Sequence, residues 1–542
     1  MMPGGGTAGY RHPFIVGTYF LGGVGDNPRT LADLAMSQFS WFIRSQPNWW
    51  QSHQNQSVRE QWSEKAVDRN WMVTTPSSTA TVHLSDKQIA YVLDELAGYA
   101  LLRDEVSCFE RIWESNQILD ATALATLNEA FDKLKKDKTF SSDGTTKVIV
   151  DPTHCPLVYD RSLVSLPSHS PLRTIPPPRL TDIYTLSQRF ALLPVDIFVS
   201  PSGDVEFLTY INDLNPQLHL SIYQLIQRTL TSFIPLFEHT LTDLHRNNPL
   251  KQRIPGACRY TVWDEPDPPE HSDDEEGWVA YERDMREWTL NRPISLPDIS
   301  TGYRGGMEQR RQTVTLNSKR LQCIVSVSEH QMIPGTTELL GTPWHVEGMK
   351  NERVVACGFF FTAVENIQSC DLQFRMAVSY PRGFHAGDSG ATLRTWGLRD
   401  GDSCHQYIGS VPIRDGFGVV FPNIYQHRYT PITLSDPSKT GNFTVLSFGL
   451  VDPDIPSIIS TANVGPQQKS WIRKALDEYV DVRLPIEIVE KIVDMVEGVM
   501  DDQESQAYSE KLREERINFW KLNDNYHFCI PFDIWNGPEI IQ

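Results

Sequence analysis

Apolar residues near the start of the chain recur with a helical period. Leu31, Leu34, Ala35, Phe39 and Phe42 line one face of a segment from Thr30 to Ile43, and the pattern stops before Pro47. Ser85 with Gln88 three residues on makes a capping box ahead of Ile89, Val92, Leu93 and Leu96, a stripe at i, i+3, i+4 and i+7. These spacings predict core-facing helices in a mainly helical region over residues 1–180. Residues 167–178 turn to Pro, Ser and Thr and end in Pro176-Pro177-Pro178, which predicts a linker or surface crossover. Val195 to Val199, a Pro201-Ser202-Gly203-Asp204 turn and Val205 to Ile211 predict a hairpin. Leu218 to Leu244 is the longest expected helix, amphipathic through Leu218, Ile222, Leu225, Ile226 and Leu230, with a kink at Pro235. Residues 264–276, crowded with Asp, Glu and Pro, predict a solvated loop.

From Arg320 to Val451 the period changes. Leu321 to Val327, Val354 to Phe361, Leu372 to Val378, Tyr407 to Ile413, Gly418 to Phe421 and Phe443 to Val451 are short β-branched or aromatic runs between Gly, Pro, Asp and Ser clusters. Such runs predict an antiparallel sandwich or barrel, and a jelly roll fits their number. Helices return after residue 466, with Pro485 ahead of Ile488, Ile492, Met495 and Val496, and a charged segment from Gln503 to Trp520. The expected fold class is therefore α+β. A core over residues 181–465 carries the long helix and the acidic loop, between a helical N-terminal region and C-terminal helices over residues 466–542.

Composition narrows the possible partners. A chain of 542 residues with 40% hydrophobic and 22% charged content excludes disorder, collagen and disulfide miniproteins. A net charge of −19 repels phosphate backbones and anionic headgroups, so neither nucleic acid nor a membrane is an expected partner. Eight cysteines with no C-x-x-C pair predict reduced, mostly buried thiols. The apolar stretch Phe14 to Val24 is short, broken by glycines and preceded by no basic cluster, and no run approaches the ~18 apolar residues of a membrane span. The expected compartment is the cytoplasm.

Chemistry concentrates in Thr342-Pro343-Trp344-His345-Val346-Glu347-Gly348. Residues i and i+2 of a strand share a face, so the His345 imidazole and the Glu347 carboxylate converge. A second histidine brought alongside, such as His427, would complete two imidazoles and one carboxylate, which occupy one face of an iron ion and leave the opposite positions open. The pair alone carries little weight. With 15 histidines and 68 acids in the chain, about two His-x-acid pairs arise by chance and two occur, the other being His271 with Asp273 in the acidic loop. Gly387-Asp388-Ser389-Gly390 resembles the nucleophile segment of chymotrypsin-like proteases, but Ala391 stands where those enzymes have Gly, and a turn between strands is expected. His385 with Asp388 is a weaker alternative metal pair.

Trp344-His345-Val346-Glu347-Gly348-Met349-Lys350-Asn351-Glu352 and Val420 to Arg428 together resemble a large, mainly fungal family of uncharacterised proteins, domain-of-unknown-function family 4246. Thr209 to Pro216, Glu365-Asn366-Ile367, Leu450 to Pro453 and Ile459 to Val464 also resemble its signatures, so the likeness spans roughly residues 20–525. The family itself is similar to iron(II)- and 2-oxoglutarate-dependent oxygenases built on a double-stranded β-helix. That likeness implies His345, Glu347 and His427 as iron ligands, 2-oxoglutarate as cosubstrate and a small molecule as substrate, hydroxylated or desaturated.

In such enzymes a basic side chain holds the far carboxylate of the 2-oxo acid. Phe443 stands where the family's arginine is expected. Arg375 is the preferred replacement, and Arg428 suits less because the neighbour of His427 points to the other face. A different cosubstrate, or a lapsed enzyme acting as a metal-binding scaffold, are the alternatives. Tyr210, Asn212 and Asn423 are expected polar contacts to the ligand. Oligomeric state is not legible.

Overall fold

The architecture comes from a computed structural model that describes residues 9–13, 26–102, 105–106, 109–137, 144–166, 169–179, 185–248, 250, 252–260, 264–306, 309–335, 341–479, 484–528 and 531–535. Phe14 to Val24, Cys108 and Cys529 lie outside the described residues. Helix α1 (Leu31–Arg44) opens on Thr30, whose side chain accepts from the Asp33 N–H, and buries Leu34, Ala35, Phe39 and Ile43. The capping box forms at the head of α2 (Asp86–Leu102). There the Ser85 N–H donates to Gln88 Oε1 at 3.1 Å and the Gln88 N–H to Ser85 Oγ at 3.4 Å.

Twelve strands frame the candidate site: β1 (Glu105–Val106), β2 (Trp113–Ser115), β3 (Thr146–Val150), β4 (Val195–Val199), β5 (Val205–Phe207), β6 (Lys319–Met332), β7 (Val354–Glu365), β8 (Asp371–Ala377), β9 (His405–Pro412), β10 (Phe417–Pro422), β11 (Tyr425–Tyr429) and β12 (Gly441–Val451). Nine of them form one antiparallel sheet in the order β5-β4-β6-β12-β7-β10-β2-β1, with β3 pairing β6. The other three form a smaller antiparallel sheet in the order β9-β8-β11. The sheets pack ring against ring, with Phe359 on His427 at 5.3 Å, Phe361 on Tyr429 at 6.4 Å and Phe421 on Phe374 at 5.0 Å between centroids. Phe360 lies between Phe359 and Phe361 and so points to the opposite face, where it meets Phe233. Burial on both faces is why β7 reads as an unbroken apolar run.

Phe233 belongs to α3 (Leu220–Leu244), the long helix expected from its stripe, which carries Pro235 in its interior. The helix can approach because Gly358 has no side chain: a Cβ there would stand 2.7 Å from Phe233 Cδ1. One hydrophobic cluster runs from Tyr10 to Ile534 through the N-terminal helices, the large sheet and the C-terminal segment.

Three local expectations differ from the structure. His169–Thr174 is a strand paired antiparallel with Leu163–Leu166, so part of the Pro-rich crossover is a hairpin; a two-stranded ribbon has free outer edges, where a missing N–H costs no ladder bond. The acidic loop runs directly into α4 (Glu275–Asn291), capped by Asp274 and with Glu275 and Glu276 in the first turn, where the helix dipole favours acids. Gly387 to Gly390 does not turn between strands but opens α5 (Ser389–Trp396). Asp388 caps that helix through the Ala391 N–H at 2.8 Å and pairs with Arg292 at 3.2 Å, while His385 packs on Tyr260. The C-terminal helices are α6 (Lys469–Tyr479), α7 (Ile486–Met495) and α8 (Asp502–Leu522). The six described cysteines are buried. Among the described residues no helix is long and apolar enough to cross a membrane.

Asp452, just past β12, is 2% exposed. Burial pushes its carboxyl up to about 6, against the Asp454 N–H that stabilises the charge. A folded-state value raised above the unfolded one adds stability below the unfolded value near 3.8, and that contribution is lost as pH rises through 6. Asp452→Asn keeps the acceptor without the charge. It is expected to stabilise the protein by roughly 2 kcal/mol at pH 8 and by little at pH 4, read from denaturant midpoints at the two pH values.

Candidate metal centre

Two segments distant in sequence meet at the small sheet. The His345 N–H donates to the His427 carbonyl at 3.2 Å and the His427 N–H to the His345 carbonyl at 2.9 Å, so the two residues sit directly opposite each other. Opposed residues point to the same side, and their rings lie 4.4 Å apart. Glu347 is two residues along and returns to that side. Its Oε1 stands 3.7 Å from His345 Nε2 and 3.4 Å from His427 Nε2. Gly348 follows in the left-handed region at φ +70°, which turns the chain away behind the carboxylate.

One ligand atom from each of His345, Glu347 and His427 can be chosen so that all lie within 4.8 Å of one another. His345 Nδ1 sits 2.7 Å from the Pro343 carbonyl; donation there leaves the Nε2 lone pair for a ligand. Burial, reinforced by the nearby His345, pushes His427 down to about 4, which keeps it neutral and able to coordinate. Burial would raise the Glu347 carboxyl, but hydrogen bonds from the two imidazoles outweigh it and hold the group well below the usual range. Two imidazoles and a carboxylate are the donors a divalent transition metal takes.

A cavity of about 250 Å³ opens from these three residues between the sheets. Ser326 and Ser328 of β6, Ser447 of β12 and Tyr429 of β11 line it with hydroxyls, and Phe359 and Val445 with apolar surface. Part of the remaining wall comes from α8, through Arg516 and Trp520. Trp520 lies 4.2 Å from the His345 ring and shields it from water. Nothing in the sequence reading assigned α8 to the site. Its buried stripe is Ser505, Ser509, Leu512, Arg516 and Phe519, too polar to stand out as a core face.

The other expected site residues fall elsewhere. Arg375 lies opposite Gln426, one step from the Phe374 and His427 pair, so the two-residue period sends it to the far face. There it pairs with Asp524, donates to Gln426 Oε1 at 2.8 Å and covers the Trp344 ring, so it is not the carboxylate clamp of this cavity. Arg428 also stacks on Trp344. Tyr210 donates to the Val464 carbonyl at 3.0 Å and packs on Trp471. Asn212 donates to the His154 carbonyl at 2.8 Å, behind the wall formed by Pro152 and Thr153. Phe443 is buried, stacked on His330 at 4.7 Å and edge-on to Tyr429 at 5.2 Å.

Asn423 does not face the cavity but braces it. It is fully buried in the turn between β10 and β11, where Oδ1 accepts from the Glu347 N–H at 2.8 Å and Nδ2 donates to the Glu347 and Val354 carbonyls at 2.7 and 2.9 Å. The side chain thus supplies the ladder that Glu347 lacks. Asn423→Ala strands buried polar groups and is expected to cost roughly 3 kcal/mol in a urea titration, with weaker metal binding in calorimetry. Unchanged stability and affinity would show that Glu347 holds its place without this brace.

No curated protein matches the chain. Among solved structures it is similar to an Fe(II)/(alpha)ketoglutarate-dependent dioxygenase, TqaL, at 7% identity over 75% of this chain and 90% of that one, with a TM-score of 0.25. A bsmA homologue from Methylobium petroleophilum PM1 matches at 9% identity over 61% and 85%, with a TM-score of 0.21. A vicilin from Solanum melongena matches at 11% over 42% and 49%, with a TM-score of 0.13. Scores of this size do not define a shared fold. A family model described as a protein of unknown function, DUF4246, matches residues 86–475, which hold the His345, Glu347 and His427 triad and Phe443 but not Arg516 or Trp520. By that match, over well more than half its length, the chain belongs to the DUF4246 family.

Proposed function

We propose that this chain is a mononuclear non-haem iron(II) oxygenase that uses 2-oxoglutarate or a related 2-oxo acid to hydroxylate or desaturate a small molecule. The observation that carries the reading is the convergence of His345 Nε2, His427 Nε2 and the Glu347 carboxylate at the mouth of an enclosed cavity. Three protein ligands on one side leave the rest of the coordination sphere to cosubstrate and oxygen. The strand order supports a double-stranded β-helix, with β6-β12-β7-β10 as one layer and β9-β8-β11, extended by the His345 to His427 bridge, as the other.

Iron(II) in this site, with a 2-oxo acid, would supply the oxidising chemistry, and the protein residues set the conditions for it. The Pro343 carbonyl fixes the ring of His345, Asn423 fixes the backbone of Glu347, and Trp520 excludes water from the histidine face. Phe443 favours a second reading, a relative that binds metal without turnover, because its buried ring presents no charge to a dicarboxylate. In that reading the protein serves as a binding or scaffold protein.

An anaerobic titration of metal-free protein with Fe(II) and then 2-oxoglutarate separates the two. The expected result is a visible charge-transfer band that needs both additions and vanishes in His345→Ala. Iron binding without the band would favour the second reading or another cosubstrate, and equal iron binding by wild type and His345→Ala would overturn the metal site.

A further inference from the structure

Arg516 is the one guanidinium among the residues lining the cavity at the triad. It is 9% exposed, and one Nη donates to Glu352 Oε1 at 2.8 Å. Glu352 is also held by the Leu192 N–H at 3.0 Å and by the Met349 N–H, so its charge is fully solvated by protein. Arg516 Nε is different: it is buried and makes no hydrogen bond among the described residues. A charged donor of this kind is costly to bury unmet, and the side chain that carries it is among those lining the cavity.

Charge balance points the same way. A divalent ion at the triad is half neutralised by Glu347, and Arg516 and Glu352 cancel, so one positive charge remains in an enclosed site. Ser326, Ser328 and Ser447 add neutral donors and no further acid. Resting on the iron reading above, we infer that Arg516 is the anion anchor of the cavity, its guanidinium holding a carboxylate of its ligand. The ligand is thus an organic acid, and its anchor comes from α8, outside the family-matched residues 86–475. Two kinds of acid present that carboxylate: one that also chelates the metal through a 2-oxo group, and one that lies beside the metal without chelating.

Calorimetry on Mn(II)-loaded protein tests this with 2-oxoglutarate, 2-oxobutyrate and glutarate. 2-Oxobutyrate has the chelating end without the second carboxylate, and glutarate has two carboxylates and no keto group. Arg516→Gln is expected to weaken 2-oxoglutarate, glutarate or both by about tenfold or more and to leave 2-oxobutyrate unchanged. Loss confined to 2-oxoglutarate identifies a chelating acid, and loss confined to glutarate identifies a non-chelating one. Arg516→Lys keeps the charge without the planar fork and is expected to recover part of the affinity. The double variant Glu352→Gln with Arg516→Gln strands no charge, so it reads the same loss if the single variant fails to fold. Unchanged affinity for every acid in a folded variant, or no acid binding by wild type, would overturn the anchor. The glutarate arm repeated on metal-free protein keeps this separate from the iron reading, whose failure appears as equal Mn(II) uptake by wild type and His345→Ala.

Discussion

The two backbone hydrogen bonds between His345 and His427 are the constraint on which the centre depends. They are the whole of that pairing, an isolated bridge rather than a continuous strand, yet they put two imidazoles from remote parts of the chain on one side. The sheet packing supplies the rest. Phe359 and Phe421 crowd the ring of His427, and Trp520 covers that of His345, so neither can rotate away without opening a void. A pair of bonds this small can fix a site because close packing removes the alternatives.

Two buried acids show how charge is handled locally. Glu352 rests on two backbone N–H groups and Arg516, and Asp388 combines a helix cap with Arg292. Buried ions arranged in this way contribute more to geometry than to net stability. The triad differs: a carboxylate faces two imidazoles, an arrangement that a cation completes.

How much was legible in the sequence follows from the range of each determinant. Alternation along a strand is local, so His345 and Glu347 could be put on one face from spacing alone. Capping is local too, which is why Ser85 with Gln88 marks a helix start where one was expected. His427 was reachable only as a further histidine in a strand-rich region, and resemblance to a family then singled it out. Arg375 shows the limit. Its face depends on its register with β11, which turns and neighbouring strands decide. Arg516 was out of reach for a different reason: its helix buries serines and an arginine, so hydrophobic periodicity carries little trace of its inner face.

The wall built by α8 has a consequence for kinship. The triad, its Asn423 brace, the sheets and most of the cavity lining lie within residues 86–475, whereas Arg516 and Trp520 lie beyond them. The cavity is therefore lined from two stretches of the chain, mostly from the strands and in part from the last long helix. Two members of the family can share those strands while their last helices diverge, and comparison over the shared stretch alone would leave that part of the wall unread.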